Sequence, residues 1–393
     1  MKEFLAAAMI AGLMGYSVAA RANEDKWMED VQGVQAAAKE MKSRLPPRMP
    51  APGPLPLLQY ERAPVHYFFL PVEGAELSGD LSRLKDDFYP EKEFRGDKFD
   101  EGKTVRIIRF HWTAPAANPH PKAEGLLHLY EPVPGDFRNA RPLILVLPIT
   151  GDPKNYFSRK FCGYFFKKGY RCVFLERYLP PESELPQNME ELFELPGLPP
   201  YSTETARRGL DALEQMGVLR PGEKIGVAGI SLGAIDAALL ALTDERVGAA
   251  ALLLGGANLP KMLSEIRGVG VGSFARSREK QMQAHNWSLQ DFTQEMARHT
   301  YIGDPLVYLQ KIPSAGRLAA ERFLMINMDG DTAVPNACSD QLYEALKDGK
   351  TLPEYEKLFV PLPKKYRHVL GAFFRSPGAR RKMKAHFEKF LSD

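Results

Sequence analysis

Gly229-Ile230-Ser231-Leu232-Gly233 stands directly after the apolar run Ile225-Gly226-Val227-Ala228 and directly before a stretch of small residues, 234–242. A bare Gly-x-Ser-x-Gly occurs by chance, but one set as strand, turn and helix has a mechanical meaning. The turn must be so tight that a side chain larger than hydrogen beside the serine would clash. Its strain would push the hydroxyl into the open at the end of the strand. The Leu232 amide, opening the helix, would then point at an oxyanion formed on an attacked carbonyl. Read only as a Gly/Ser helix cap, the motif leaves the rest of the pattern unexplained.

A serine hydroxyl is a poor nucleophile near neutral pH and needs a base that is itself held by an acid. Both are expected later in the chain, the acid after the next-to-last core strand and the base after the last. Met325-Ile326-Asn327-Met328 leads into Asp329-Gly330-Asp331-Thr332-Ala333-Val334-Pro335, and residues 355–360 lead into Lys365-Tyr366-Arg367-His368. Ser231, Asp331 and His368 thus fall in the expected order. Asp329 is the rival acid, and Asp304, beside Pro305, reads as a helix cap or loop anchor. The other histidines do not follow the last core strand. His66, His111 and His128 lie in N-terminal strands, His120 sits between prolines, His285 and His299 fall in an insertion, and His386 is on the terminal helix. Structural or surface roles are expected for them.

These residues need a frame. Residues 105–112 alternate with the period of a half-buried strand, and 125–130 can pair with them antiparallel. At Leu143-Ile144-Leu145-Val146-Leu147 the pattern becomes an unbroken apolar run, the mark of a parallel strand buried on both faces. Helix and strand then alternate: helix 156–168, strand 172–175, helix 203–216, strand 225–228, helix 234–242, strand 247–254. After an interruption come strands 323–326 and 355–360, with helices near 340–346 and 380–391. Such alternation predicts a mostly parallel central sheet with helices on both faces. Residues 258–318, helical in pattern and without strand signal, would sit where open α/β sheets bind ligands, and are expected to form a helical lid insertion.

From about Val105 onward the chain resembles the α/β-hydrolase superfamily, in particular its dienelactone-hydrolase-like and prolyl-oligopeptidase-like serine esterases. The residues that carry the resemblance are 229–233, Asp304-Pro305, the apolar strand before Asp331, and Asp331 itself, placed three residues before Val334-Pro335 as the acid is in those relatives. The resemblance implies an α/β-hydrolase fold and an acyl-enzyme on Ser231. His368 would be general base and then acid, with Asp331, rather than Asp329, orienting it. In one place the pattern departs: the common His-Gly after the first parallel strand is replaced by Pro148-Ile149-Thr150-Gly151. Position makes the Thr150 amide the second oxyanion donor beside Leu232. The substrate implied is a small-molecule ester or acyl compound, with no cofactor. Peptidase or acyltransferase chemistry on the same residues, or a binding module that keeps the fold without turnover, are the alternatives.

Other chemistries lack their motifs: there is no His-Glu-x-x-His, Cys-x-x-Cys, Gly-x-x-x-x-Gly-Lys-Ser/Thr or Gly-x-Gly-x-x-Gly. The 52 basic residues are balanced by 49 acidic ones, a net +3 that provides no nucleic-acid footprint. The basic runs Lys167-Lys168, Lys364-Lys365 and Arg380-Arg381-Lys382 are short, separated and read as solvated. Residues 1–22 combine Lys2, an apolar stretch over 4–20 and a small-x-small site at Ala20-Arg21-Ala22, the pattern of a secretory signal. Export to a periplasmic or external location, without stable membrane insertion after processing, is expected if the signal is used; otherwise the chain is cytoplasmic. Residues 23–60 read as a polar, Pro-rich arm, extended rather than helical over 46–56, either a tether or an arm hugging the edge of the body, and 61–393 as the hydrolase domain. Three cysteines, Cys162, Cys172 and Cys338, are too few and odd in number for a disulfide framework and are expected as small buried hydrophobes. Cys162 in a helix and Cys172 in the next strand leave a bridge between them open.

Overall fold

The computed structural model describes residues 55–59, 65–70, 103–112, 124–132, 141–149, 155–176, 199–267, 272–348, 351–359 and 364–391. The expected signal, most of the Pro-rich arm, Thr150 and His120 lie outside them. Nine strands of the described residues form one sheet: β1 (His66–Leu70), β2 (Lys103–His111), β3 (Glu124–Pro132), β4 (Arg141–Leu147), β5 (Tyr170–Leu175), β6 (Ile225–Ile230), β7 (Val247–Leu253), β8 (Phe323–Met328) and β9 (Glu354–Leu358). Their order is β1-β2-β3-β5-β4-β6-β7-β8-β9. The first three strands run antiparallel and join β5 antiparallel; from β5 to β9 every pairing is parallel.

Helices α1 (Tyr156–Phe166), α2 (Pro199–Gln215), α3 (Leu232–Thr243), α4 (Leu259–Glu265), α5 (Gly272–His285), α6 (Leu289–Thr300), α7 (Pro305–Lys311), α8 (Asn336–Leu346) and α9 (Lys364–Leu391) complete the described frame. The apolar run of β4 shows why two layers of helix are needed. Successive strand side chains point to opposite faces, so Leu143, Leu145 and Leu147 enter one core with α2, α3 and α8, while Ile144 and Val146 enter another with α1 and α9. A strand apolar at every position must be covered on both sides.

The strand order also fixes where chemistry can occur. The chain leaves β4 toward β5 on one side and later returns to β6 on the other. Adjacent crossovers that diverge leave a crevice at the C-terminal ends of β4 and β6, the switch point at which open α/β sheets bind ligands. Leu147 pairs with Gly229 at that end, which puts Ser231 at the crevice.

Four features differ from the pattern read in the sequence. α2 begins at Pro199 rather than near 203, since proline is tolerated in the first helical turn, where its missing N–H would have no intrahelical acceptor. Pro56–Gln59 form a 3-10 turn where an extended chain is expected at the end of the proline run, and Leu55 and Leu57 are buried, so this end of the arm packs on the body. α9 begins at Lys364, not near 380, and runs through Ser376-Pro377-Gly378, a sequence that normally ends a helix. Ala379, Met383, Phe387 and Leu391, four residues apart, are all buried in the second core, and this packing holds the helix past the break.

The insertion is the fourth difference, for it divides in two. Leu259 and Met262 of α4 and Tyr308 and Leu309 of α7 belong to the main core. Only α5, α6 and the outer face of α4 build a separate small cluster, Phe292 and Met296 with Leu263, Met282 and Trp287. The two ends are clasped by Asp304, whose carboxylate accepts from the amides of Asn258 (3.0 Å), Leu259 (2.7 Å) and Leu306 (3.0 Å). Burial pushes this carboxyl above its ordinary value, although the three amides pull it down. The cap role expected of Asp304 is therefore extended to a tie across the insertion.

Candidate active site

Ser231 is set between β6 and α3 with φ 55 and ψ −119, a backbone conformation that a side-chain-bearing residue adopts only under local constraint. The constraint is visible on both sides. A Cβ on Gly229 would collide with the Gly233 carbonyl, and one on Gly233 would collide with the carbonyls of Leu147 and Pro148. The glycines thus permit the turn to close on itself and against the end of β4. The Ser231 amide donates to Leu253 O (2.8 Å), anchoring the turn to β7. Leu232, the first residue of α3, presents one of the amides that no intrahelical carbonyl accepts.

The side chains of Ser231, His368 and Asp331, remote in sequence, form one hydrogen-bonded chain. His368 Nε2 lies 2.9 Å from Ser231 Oγ, and His368 Nδ1 lies 2.7 Å from Asp331 Oδ2. A carboxylate can only accept, so Nδ1 carries the ring proton and Nε2 offers its lone pair to the serine hydroxyl. The Asp331 side chain is fully buried, and its other oxygen accepts from the amides of Ala333 (2.8 Å) and Val334 (3.1 Å). These bonds hold the carboxylate independently of the histidine. His368 sits near the start of α9, not in a loop.

Asp329 has a different partner. Arg367 Nη1 donates to its backbone carbonyl (2.6 Å) and lies 3.6 Å from its carboxylate, which is 57% exposed. The Arg367 guanidinium also lies 5.1 Å from the centre of the Phe359 ring. Asn336, directly after Val334-Pro335, closes the acid loop by accepting from Gly330 N (2.6 Å) and donating to Met328 O (2.8 Å). Sequence reasoning missed both supports. An asparagine after Val-Pro was the only cue for the second, and nothing local marks the first. A further tie joins insertion and acid loop, as Arg267 N donates to Thr332 O (2.9 Å).

Four other histidines are engaged elsewhere. His128 bonds Glu176 and stacks on Phe174, His285 stacks on Trp287, His299 bonds Glu295, and His386 bonds the Arg322 carbonyl. Among the described residues there is no cluster of three or more metal-ligating side chains, and no helix is long and apolar enough to cross a membrane. A broad groove of about 1510 Å³, lined in part by Arg141, Lys224, Asp244, Arg322 and Phe387, lies at the opposite end of the strands and contains none of Ser231, Asp331 or His368. The candidate site is therefore assigned on side-chain geometry and not on cavity size.

No family model matches the chain, and no curated protein matches it in sequence. Solved structures do. An acetyl xylan esterase from Paenibacillus sp. R4 superposes with a TM-score of 0.50 at 13% identity, over 84% of this chain and 91% of that one. An acylaminoacyl peptidase from Pyrococcus horikoshii matches with 0.45 at 15% identity over 73% of this chain, and a putative dienelactone hydrolase from Klebsiella pneumoniae with 0.42 at 13% identity, also over 73%. The chain spans 40% of the length of that peptidase. At such identities the likeness is one of fold, and the fold shared with the acetyl xylan esterase over most of both chains is that of the α/β hydrolases.

Proposed function

We propose that this chain of α/β-hydrolase fold is a serine hydrolase that cleaves carboxylic esters. The observation that carries the reading is the Ser231–His368–Asp331 chain, with links of 2.9 and 2.7 Å, at a strained turn on the sheet's switch point. In the proposed reaction Ser231 Oγ attacks the ester carbonyl while His368 Nε2 takes its proton. Asp331 holds the ring and stabilises the imidazolium that forms. The Leu232 amide, and by position that of Thr150, receive the developing oxyanion. His368 then gives the proton to the leaving alkoxide, which departs and leaves an acyl-enzyme. Water, deprotonated by the same ring, releases the acid. No cofactor enters. Ester hydrolysis is also what is stated of the acetyl xylan esterase that shares the fold over most of both chains.

A panel of carboxylic esters, with the corresponding amides, tests the proposal. Wild-type protein should hydrolyse at least one ester faster than its amide. Ser231→Ala should lower that rate by on the order of 10⁴-fold with an unchanged circular dichroism spectrum. Near-normal turnover by folded Ser231→Ala would remove the serine from the mechanism, and cleavage of an amide at a rate comparable to that of its ester would move the reading to a peptidase.

A further inference from the structure

Two of the three cysteines face one another in the core between the sheet and α1. Cys162 lies on α1 and Cys172 on β5, both with 0% exposure, and their sulfurs are 2.9 Å apart. Non-bonded carbons attract best at about 3.5–4.0 Å, and sulfur is the larger atom. Two thiols at 2.9 Å are therefore pressed together on the repulsive side of contact. Phe161 and Phe165 from the helix and Phe174 from the strand are all buried in the same cluster as the two cysteines. Cys338 belongs to the core on the other face of the sheet and cannot join them. Burial, then the neighbouring Cys172, push the Cys162 thiol well above its ordinary value.

We infer that Cys162 and Cys172 are a disulfide-forming pair that staples α1 to β5. A covalent bond of about 2.05 Å replaces a repulsive contact by an attractive one without displacing either element far. The oxidant required is a low-molecular-weight or protein disulfide. The thiolate of one cysteine attacks a sulfur of that disulfide, forming a mixed disulfide and expelling one thiolate. The second cysteine, as thiolate, attacks the protein-side sulfur and expels the other. Two protein thiols are oxidised by two electrons, one external disulfide is reduced to two thiols, and the two cysteine protons pass to the thiolates released. In the closed fold neither sulfur is exposed to an oxidant, and burial holds Cys162 as the thiol. Exchange therefore takes place while α1 is open or before it docks, and folding then seals the product from reductants. The staple acts on the helix that follows the segment bearing Thr150, and it is independent of the hydrolase reading.

The test is a count of free thiols in the full chain. Purified protein is held in a buffer with equal concentrations of oxidised and reduced glutathione, in one arm below its urea unfolding midpoint and in the other through unfolding and refolding. It is then quenched in acid, denatured and alkylated. Intact mass should show a single alkyl group, on Cys338, and peptide mapping should recover the linked Cys162 and Cys172 peptides. The oxidised protein should also unfold at higher urea than the reduced protein, a difference that disappears in Cys162→Ala and in Cys172→Ala. Three alkylated cysteines in both arms, with no linked peptide, would overturn the inference.

Discussion

Ser231 and the groups around it show what a single residue's setting decides. Its positive φ is tolerated because glycines at 229 and 233 leave room for neighbouring carbonyls, and that same conformation raises the hydroxyl toward His368. The two carboxylates have different partners: Asp331 touches His368, whereas Asp329 is engaged by Arg367. If Asp331 orients the ring, Asp331→Asn should lower turnover by roughly 10³- to 10⁴-fold, because the amide favours the wrong imidazole tautomer. Asp329→Asn keeps the backbone carbonyl that Arg367 uses and should cost less than about 10-fold. Steady-state kinetics on one ester checks both, and the reverse ranking would transfer the acid role to Asp329. The tight turn at Ser231 was legible in the sequence because its sterics are local. Asn336 and Arg367 were not, since each acts on a backbone carbonyl whose position depends on the closed loop and docked helix.

At the scale of elements, the insertion divides between the main core and a separate outer cluster. Apolar residues over 258–318 looked alike in sequence, but the structure sorts them by what they bury. Leu259 and Met262 pack into the main core, while Leu263 and Trp287 support the outer cluster of α4, α5 and α6. The end of α4 is tied to the acid loop through Arg267 and Thr332, so this outer unit is anchored beside the candidate site. Trp287→Ala should therefore change the ratio of kcat/KM between two esters by about 10-fold or more. Met262→Ala should instead lower stability by about 2–5 kcal/mol, leaving a large cavity, with that ratio unchanged. Relative kcat/KM measured alongside urea unfolding separates the cases, and a constant ratio in Trp287→Ala would refute a specificity role. Strand positions were legible because runs such as Leu143–Leu147 are apolar at every residue. The early start of α9 was not, because Pro377 and Gly378 give a local stop signal that buried Met383 and Phe387 override.

Across the whole molecule, one titration links packing to acid stability. His386 on α9 is buried against the Arg322 carbonyl, and burial, with Lys389 and Arg322 nearby, pushes its pKa down to about 4 from the usual 6.5. The unfolded chain takes up this proton below about pH 6.5, the folded one only below about pH 4. Its contribution is thus constant above pH 6.5, and stability falls as pH drops through that window, by up to about 3 kcal/mol. His386→Gln, which can still donate to the carbonyl, should flatten that limb in urea unfolding measured from pH 7 to pH 4; an unchanged slope would show that His386 does not titrate as argued. The α/β alternation and the order of Ser231, Asp331 and His368 were readable from the chain, whereas the strand order that brings them together arises only when distant segments pair. Central to the proposed function is that this meeting activates Ser231. Reaction of the folded protein with a fluorophosphonate, followed by peptide mass mapping, tests it directly, because such reagents trap an activated serine. The account predicts one adduct on Ser231 in wild-type protein and loss of labelling in folded His368→Ala; a folded wild-type chain that takes no label, or takes it on another residue, would contradict it.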